Sequence, residues 1–528
     1  RLSPMKKLLC LALILALALI PVTGVQAESE TARSFTLFEG NQSSTLNESN
    51  DDIMAWQKAQ EATGIDVEFV HGDDNTLTML IASEDLPDAI LQNWAAFPGG
   101  AQGALDNAVI VELSEELLAE HAPNYWAYLQ KWPEIKKMVT TDAGTHYQIA
   151  GIMTWETDES KGFTPVVDRA PCYESWMGLI ARKDLLDAAG LEIPVTVDDW
   201  TAALRTLKEN GVTAPLSATV GNFKQSNLFA GAYGVAQGLY QDENGVAHYG
   251  PMEDAYKDYL TLLAGWYAEG LIDPDLAAVD GNSAKAKMMS GESAVTIGTG
   301  GWLGSMYDTV HEQDAQSTFY DIGVANPSLT ADTQPMYGMK NYPYNQGVAV
   351  TPVCKDPSVV LDFYNYLWSD EGIVTANWGI EGQSYRFDAN GLPEFDAETL
   401  EKNEWGYSAS DMMMKVYMLN EAIPADMRNR LYQMTLYGTD EAVTVRKTWS
   451  NSTLPSTMPP YVVPADLSSD YATIGNDLQT YVDEMYVKFV MGLESLDNFE
   501  AFRDQLRKMG VENYLSIAQT ALDNYNAR

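Results

Sequence analysis

The residues whose types and spacing could bind a ligand are aromatic and amide side chains that follow predicted strands and glycine turns. Trp94 follows a strand predicted at 86–91, Trp302 follows a short apolar strand and a glycine turn, and Trp378 precedes two glycines. Aromatic faces pack against the apolar C–H faces of sugar rings, whereas sugar hydroxyls need hydrogen-bonding partners. We therefore predict a ligand site formed by Glu39, Asn41, Asn93, Trp94, Trp155, Asn222, Trp302, Tyr344, Asn345 and Trp378.

No catalytic motif accompanies these side chains. The five histidines form no His-Glu-x-x-His frame, and the stretch 291–295 lacks the last glycine of a nucleophile elbow. The glycines at 298–301 do not have the spacing of a dinucleotide-binding loop. We predict a protein that is not an enzyme and that requires no cofactor and no metal. Whether the protein binds a calcium ion stays open, although the loop at 242–245 lacks the alternating ligands of an EF-hand.

The charge of the chain limits its partners. Acidic residues number 74 against 32 basic residues, and the formal net charge is −42. A surface of this sign repels nucleic-acid phosphates and anionic lipids, so neither is expected as a partner.

The first 27 residues have the pattern of a signal peptide. Two lysines precede an apolar run at 8–20, and small residues mark a cleavage site at 25–27. The apolar run is too short to span a bilayer. The pattern predicts secretion, with the protein extracellular or associated with the cell envelope.

The helices and strands that must position the predicted site have the pattern of an α/β fold. Strands at 34–38, 65–70 and 86–91 alternate with helices at 50–63 and 76–83, which favours βαβ units and a largely parallel sheet. A second unit begins near Trp176, and Thr196 with Asp199 forms a capping box. The tryptophans that fall within predicted helices are expected in the core. For each tryptophan of the predicted ligand site, burial in the core is the alternative to ligand contact. The helical ones are Trp56, Trp200 and Trp266.

Several short motifs in a fixed order carry a family resemblance. The chain resembles the large extracellular solute-binding proteins of carbohydrate ABC importers, the maltose-binding-protein-like family 1, and within it a group typical of Gram-positive lipoproteins. The motifs lie at 86–90, 144–149, 181–190, 196–200, 266–274 and 378–382. Each motif is weak alone, but the ordered set spans nearly all of the chain after the predicted leader.

The resemblance implies a two-lobed, type II periplasmic-binding-protein-like α/β fold with a ligand cleft between the lobes. It places lobe 1 at 28–150 and 327–385, and lobe 2 at 151–326 and 386–528. The chain would cross between the lobes near 150–175, 322–327 and 385–392.

The function that the resemblance implies is capture of a sugar or oligosaccharide by lobe closure and its delivery to ABC permease subunits in the membrane. We expect a monomer. A lipid anchor is not expected, because Cys10 lies at the start of the apolar run and Glu28 follows the predicted cleavage site. Whether Cys172 and Cys354 form a disulfide stays open. The alternatives are a secreted polysaccharide-active enzyme, and a protein of the same fold that binds peptides or other solutes or acts as a sensor.

Overall fold

The structure is a computed structural model. It describes residues 33–40, 49–155, 162–173, 175–336, 342–401, 412–419, 425–428, 445, 448–450 and 457–528. The predicted signal peptide at 1–27 lies outside these residues. Within the described part of the chain, no helix is both long and apolar enough to cross a membrane.

The strands form two main sheets and two hairpins. The larger sheet has the order β14-β4-β11-β3-β1-β2 with β5 paired to β4, the smaller has the order β10-β6-β9, and the hairpins are β7-β8 and β12-β13. The strands are β1 (Arg33–Gly40), β2 (Ile65–Gly72), β3 (Ala89–Gln92), β4 (Ile149–Trp155), β5 (Ala170–Pro171), β6 (Met177–Arg182), β7 (Leu239–Gln241), β8 (Ala247–Tyr249), β9 (Val295–Thr299), β10 (Asp321–Val324), β11 (Tyr344–Val350), β12 (Tyr385–Phe387), β13 (Pro393–Phe395) and β14 (Ala425–Arg428).

Helices cover both faces of the two main sheets. They are α1 (Met54–Thr63), α2 (Asp74–Ser83), α3 (Gly100–Asp106), α4 (Glu115–His121), α5 (Pro123–Lys131), α6 (Pro133–Met138), α7 (Lys183–Ala188), α8 (Val197–Glu209), α9 (Val220–Ser226), α10 (Leu228–Ala232), α11 (Asp254–Ala268), α12 (Gly281–Ser290), α13 (Gly300–Gln313), α14 (Pro357–Leu367), α15 (Asp370–Trp378), α16 (Ala397–Glu401), α17 (Ala465–Val490), α18 (Phe499–Met509) and α19 (Val511–Ala527). Single turns of 3-10 helix lie at Asn50–Asp52, Trp94–Ala96, Val166–Asp168, Gly250–Met252 and Leu496–Asn498, and a π-helical turn lies at Met413–Tyr417.

The first lobe is built on the larger sheet. β1 pairs in parallel with β2 and β3, as the alternating strand and helix pattern predicted. Helix α1 buries Trp56 on one face of this sheet, where the ring stacks on Phe363 at 5.7 Å between centroids. A second cluster, containing Phe38 and Leu77, covers the other face. The result is a helix–sheet–helix layering, which is typical of α/β folds.

The second lobe is built on the smaller sheet, in which β6 lies antiparallel between β9 and β10. The capping box predicted before α8 is present, with Thr196 Oγ1 accepting from Asp199 N–H and the Asp199 side chain accepting from Thr196 N–H. Trp200 and Trp266 are fully buried, as predicted for helical tryptophans. The C-terminal helix α17 packs on the same core through side chains such as Leu478 and Val482.

The two lobes divide the chain differently from the predicted boundaries. Strand β4 and the segment to Tyr173 pack with the first lobe, whereas residues 327–336 pack with the second, where Val197 N–H donates to the Ser328 carbonyl at 2.9 Å. Seven buried side chains between 385 and 419 lie in the core of the first lobe: Tyr385, Phe395, Leu400, Met412, Met413, Met418 and Leu419. Trp449 then lies in the second, donating from Nε1 to the Leu179 carbonyl at 2.9 Å.

Described residues 33–173 and 342–428 pack in the first lobe, and 175–336 with most of 445–528 pack in the second, whereas Tyr525 near the C-terminus is buried in the core of the first. Strand pairing explains the shift, because β14 adds to β4 and keeps the preceding segment in the first lobe.

The two cysteines of the described chain are both thiols and are not joined to each other. Cys172 is buried and Cys354 is half-buried, and burial raises the pKa of the Cys354 thiol to about 11. A thiol with so high a pKa is a weak nucleophile at neutral pH.

Candidate ligand-binding cleft

One edge of the larger sheet collects the ends of five strands. β1, β2 and β3 are parallel, so their carboxyl ends lie together. β11 is antiparallel to β3, with Gly347 opposite Gln92, so β11 begins at this edge. β4 is antiparallel to β11 and ends there at Trp155. Ligands of open α/β sheets bind beyond the carboxyl ends of the strands.

A cavity of about 200 Å³ lies at this edge. We call it the strand-end cleft. Its lining combines three carboxylates and three amides with backbone from two glycines and a few apolar side chains: Phe38, Glu39, Gly40, Gly72, Asp73, Asp74, Leu77, Leu91, Gln92, Asn93 and Gln346. The predicted site residues Glu39 and Asn93 are among them.

Glu39 is held by the turn that precedes α1. Its side chain is 3% exposed, and its carboxylate accepts a hydrogen bond from Asn50 Nδ2. Asn50 N–H donates to His71 Nε2 at 3.1 Å, so the proton of a neutral His71 lies on Nδ1, which donates to the Glu39 carbonyl at 3.2 Å. The ends of β1 and β2 are thereby locked to the same turn, which fixes the Glu39 carboxylate at the wall of the cleft.

Asp73 is the N-cap of α2. Its Oδ1 accepts from Thr76 N–H at 2.9 Å and from the Thr76 hydroxyl at 3.0 Å. These hydrogen bonds, together with one from Asn75, hold the pKa of Asp73 below its usual value. Asp73 is therefore ionised at neutral pH, and the exposed Asp74 follows it in the first turn.

The amides supply hydrogen-bond donors. Gln92 Nε2 is buried and has no hydrogen-bond partner among the described residues. Asn93 is exposed, and its Oδ1 accepts from Ala95 N–H at 3.1 Å, which orients the Nδ2 amide. The strand-end cleft thus offers both donors and acceptors, as a hydroxyl-rich ligand requires.

Trp94 does not line the cleft, and the structure places it in the core, which is the alternative that the sequence left open for it. Its ring is fully buried with Phe38 and Leu77, and its Nε1 donates to the Gly347 carbonyl at 2.9 Å. Asn93 caps the 3-10 turn that begins at Trp94. The chain turns there and directs the ring under the sheet, where it gains apolar burial and a partner for its N–H.

Trp378 is also a core residue, which is the alternative place that the sequence left open for it. It ends α15 with no exposed surface, and its ring centroid lies 4.2 Å from that of Phe395 in the β12–β13 hairpin. The hairpin covers the ring, so it cannot stack on a ligand in this structure.

Tyr344 is turned away from the strand-end cleft. It is 8% exposed, and its hydroxyl donates to Gln148 Oε1 at 3.2 Å. Gln148 Nε2 also donates to the Tyr147 hydroxyl at 2.8 Å. Burial raises the pKa of Tyr344 above its usual value, so the residue is a neutral member of a buried network. A role of Tyr344 in ligand binding stays a prediction, and the residue does not line the strand-end cleft.

The second lobe places Trp302 and Asn222 beside the end of β9. Trp302 is half-buried in the first turn of α13. A Cβ at Gly298 would lie 2.4 Å from Trp302 Cε3, so the indole rests directly on the strand backbone. Asn222 Nδ2 donates to the Ile297 carbonyl at 2.7 Å.

The two predicted groups of residues lie at the edges where the chain crosses between the lobes. β11 begins at Tyr344, soon after the chain leaves the second lobe at Met336. β6 begins at Met177, soon after the chain enters the second lobe, and Met177 pairs with Thr299 at the end of β9. Asn41, and the side chains of Trp155 and Asn345, lie outside the described residues.

Four polar residues of the cleft were missed from the sequence: Asp73, Asp74, Gln92 and Gln346. Asp73 and Asp74 follow the carboxyl end of β2, just as Glu39 and Gly40 stand at the carboxyl end of β1. The strand-end rule, applied equally to every strand of the sheet, would have found them.

Comparison with known proteins agrees with this architecture. Residues 44–373 match the model of the family described as bacterial extracellular solute-binding protein. The chain is 24% identical over 513 residues to the fructooligosaccharide ABC transporter substrate-binding protein FusA of Streptococcus pneumoniae serotype 4, with 89% of this chain and 87% of FusA covered. Lipoprotein LipO of Bacillus subtilis (strain 168) is 26% identical over 241 residues, which cover 43% of this chain and 46% of LipO.

Solved structures show the same fold. The S. pneumoniae substrate-binding protein FusA in complex with kestose has a TM-score of 0.69 at 18% identity, covering 94% of this chain and 100% of that one. An HMO-binding, ABC-transporter-associated solute-binding protein from Bifidobacterium longum infantis has a TM-score of 0.72 at 15% identity, covering 94% and 99%. Because the family model spans well over half of the sequence and the two-lobed α/β fold agrees with it, this chain belongs to the bacterial extracellular solute-binding proteins.

Proposed function

We propose that this chain is the solute-binding component of an ABC transporter, and that it captures a saccharide between its lobes and delivers it to membrane permease subunits. The observation that carries the proposal is the strand-end cleft, where carboxylates and amides line the edge of the first lobe at the chain crossings. The names of the relatives, which describe fructooligosaccharide and HMO-binding transport proteins, support a saccharide as ligand.

The mechanism follows from the division of the site between the lobes. Glu39, Asp73 and Asn93 supply hydrogen bonds from the first lobe, and Trp302 supplies an apolar face from the second. A ligand contacts both groups only when the lobes close. Binding therefore shifts the population of the protein toward the closed state.

The carboxylates of the cleft are better suited to binding than to hydrolysis. A glycosidase needs one carboxyl group whose pKa is raised so that it can donate a proton. The pKa of Asp73 is instead lowered by its hydrogen bonds with Thr76. We therefore propose that the protein binds its ligand without turnover and needs neither a cofactor nor a metal for this.

Placement of the protein outside the cell follows from the leader pattern at 1–27. We propose that the mature chain is a secreted monomer, and that it stays near the envelope by docking on its permease. Its high negative charge disfavours nucleic acid as a partner.

A thermal-shift panel tests the proposed function. The mature chain is heated with neutral tri- and tetrasaccharides, including kestose, and with short peptides. We expect at least one saccharide to raise the melting temperature, since a ligand that binds only the folded state stabilises it. Stabilisation by peptides alone would contradict the proposal. Chromatography of the best ligand after incubation should show it intact, whereas cleavage in proportion to protein would favour the polysaccharide-active enzyme.

A further inference from the structure

The charged groups of the strand-end cleft are of one sign. The cleft contains Glu39, Asp73 and Asp74, and among the described residues that line it there is no lysine, arginine or histidine. In the described part of the chain, three or more acidic, histidine or cysteine residues nowhere gather into a group that could hold a metal ion. The Glu39 carboxylate accepts a hydrogen bond from Asn50, whereas Asp73 and Asp74 are exposed.

These charges are not cancelled locally. Neither Asp73 nor Asp74 forms an ion pair with another described residue. The hydrogen bonds that Asp73 accepts from Thr76 keep its charge in place rather than neutralising it. A ligand that enters the cleft therefore meets a standing negative potential.

The amides complete the chemistry of recognition. Gln92 Nε2 is a buried donor without a described partner, and Asn93 lies beside it at the end of β3. A sugar hydroxyl can accept from such an amide and donate to a carboxylate, and hydrogen bonds to a carboxylate are the stronger kind. A ligand carboxylate, sulfate or phosphate can accept from the amides but only repels Glu39 and Asp73.

We infer that the strand-end cleft selects uncharged saccharides and excludes anionic ones, with Asp73 and Asp74 as the residues that set this specificity. The inference rests on the proposed function and names the substrate class of the same site. Like charges placed face to face in a partly enclosed site are a common means of rejecting wrong ligands.

The test compares one ligand in two charge states. The neutral saccharide that stabilises the protein best is oxidised at its primary alcohols to the uronate, and a portion is converted to the uronamide. The two derivatives have nearly the same shape but differ in charge. Calorimetric titration should give a dissociation constant about tenfold or more higher for the uronate than for the uronamide. Equal affinities would overturn the inference and leave the proposed function standing.

A double variant, Asp73→Asn/Asp74→Asn, tests the residues. Asparagine caps a helix about as well as aspartate, so α2 should stay folded. We expect the variant to bind the uronate about three- to tenfold more tightly than the unmodified chain does, with the uronamide changed less. If the double variant keeps the same preference for the uronamide over the uronate, the assignment of the charge selectivity to Asp73 and Asp74 is overturned.

The matched control is Asp356→Asn. Asp356 is also an aspartate N-cap, on α14, and it follows the opposite end of β11 from the cleft. The substitution removes a charge from the same highly acidic chain but far from the cleft. We therefore expect it to leave the preference for the uronamide over the uronate unchanged. If it weakens the preference as much as the double variant does, the selectivity comes from net charge and the inference fails.

Two further outcomes complete the design. If an oligosaccharide of glucosamine binds more weakly than its neutral N-acetylated form, the negative potential does not act on the ligand and the inference is overturned. If no neutral saccharide, uronate or glucosamine oligomer binds, the proposed function itself fails. The two failures are therefore distinguishable.

Discussion

We propose that Trp302 stacks on the ligand, because it is half-buried on the backbone of β9 at the crossing edge. Losing a stacked ring removes on the order of 100 Å² of apolar contact, or about 1.5–3 kcal/mol. We predict that Trp302→Ala weakens saccharide binding roughly ten- to a hundredfold in calorimetric titration, with Trp302→Phe in between. A large loss of melting temperature with unchanged affinity in the folded fraction would instead place Trp302 in the core.

Trp378 should show the opposite behaviour. Its ring is fully buried against Phe395, so truncation leaves a cavity in the first lobe. We predict that Trp378→Ala lowers the free energy of unfolding in urea by about 3–5 kcal/mol, while the folded fraction keeps its ligand affinity. Stability like that of the unmodified chain, combined with lost binding, would contradict the core assignment.

Asp273 is a buried carboxylate that stabilises the second lobe. Burial alone raises its pKa, but hydrogen bonds from Lys287 Nζ at 2.7 Å and Ser217 Oγ at 2.5 Å outweigh burial, and the pKa is lowered. Its stabilising effect is therefore present above the usual carboxyl pKa near 4 and is lost as the pH falls through the lowered value.

Asp273→Asn should accordingly lower the free energy of unfolding by about 3–5 kcal/mol near neutral pH, since it leaves the Lys287 ammonium without its buried partner. The difference from the unmodified chain should shrink in acid, as measured by urea unfolding across pH. Asp275→Asn is the control, because its side chain is 75% exposed and lies 3.7 Å from the same lysine. A difference that grows in acid would refute the account.

At the scale of elements, strand β9 and helix α13 together position the Trp302 ring. A methyl group at Gly298 would lie 2.4 Å from the ring. We predict that Gly298→Ala displaces the indole and weakens ligand binding about tenfold or more, measured by calorimetric titration. Gly265→Ala is the control. Nothing lies within 4 Å of the Cβ there, and Gly265 is within α11, so stability should stay the same or rise. Unchanged binding in Gly298→Ala would exclude Trp302 from the site.

The elements were predictable where local signals agree with tertiary packing. The βαβ pattern gave β1–α1–β2–α2–β3, and the capping box before α8 is present. The positions of Trp94 and Trp378 were not predictable in this way. Trp94 comes soon after β3 and Trp378 ends α15, but only the packing of Phe38 against one ring and Phe395 against the other decides that both face inward.

Long-range pairing also decided the lobe boundaries. β14 begins at Ala425, and its pairing with β4 spans more than 250 residues of sequence. Sequence motifs order the elements along the chain but carry no signal for such a pairing. Buried residues beyond the predicted boundary at 385, such as Phe395 and Leu419, therefore pack with the first lobe, while the two-lobed fold class was confirmed.

For the whole molecule, ligand capture by lobe closure requires that the parts of the site on the two lobes come together. The strand-end cleft belongs to the first lobe, and Trp302 with Asn222 belongs to the second. The lobes also meet through the C-terminal segment, where the Arg528 side chain donates to Asp142 Oδ1 at 2.7 Å and to the Thr140 carbonyl at 2.8 Å. Ligand binding should therefore change the relative placement of the lobes rather than the structure within each lobe.

Small-angle X-ray scattering of the mature chain, with and without a saturating concentration of the neutral saccharide that stabilises it best, tests this most directly. The account predicts a smaller radius of gyration with ligand, since each ligand contact made across the cleft favours the closed state. Trp302→Ala should need a higher ligand concentration for the same change. An unchanged radius of gyration, with the same saccharide shown to be bound by calorimetry, would contradict capture by lobe closure.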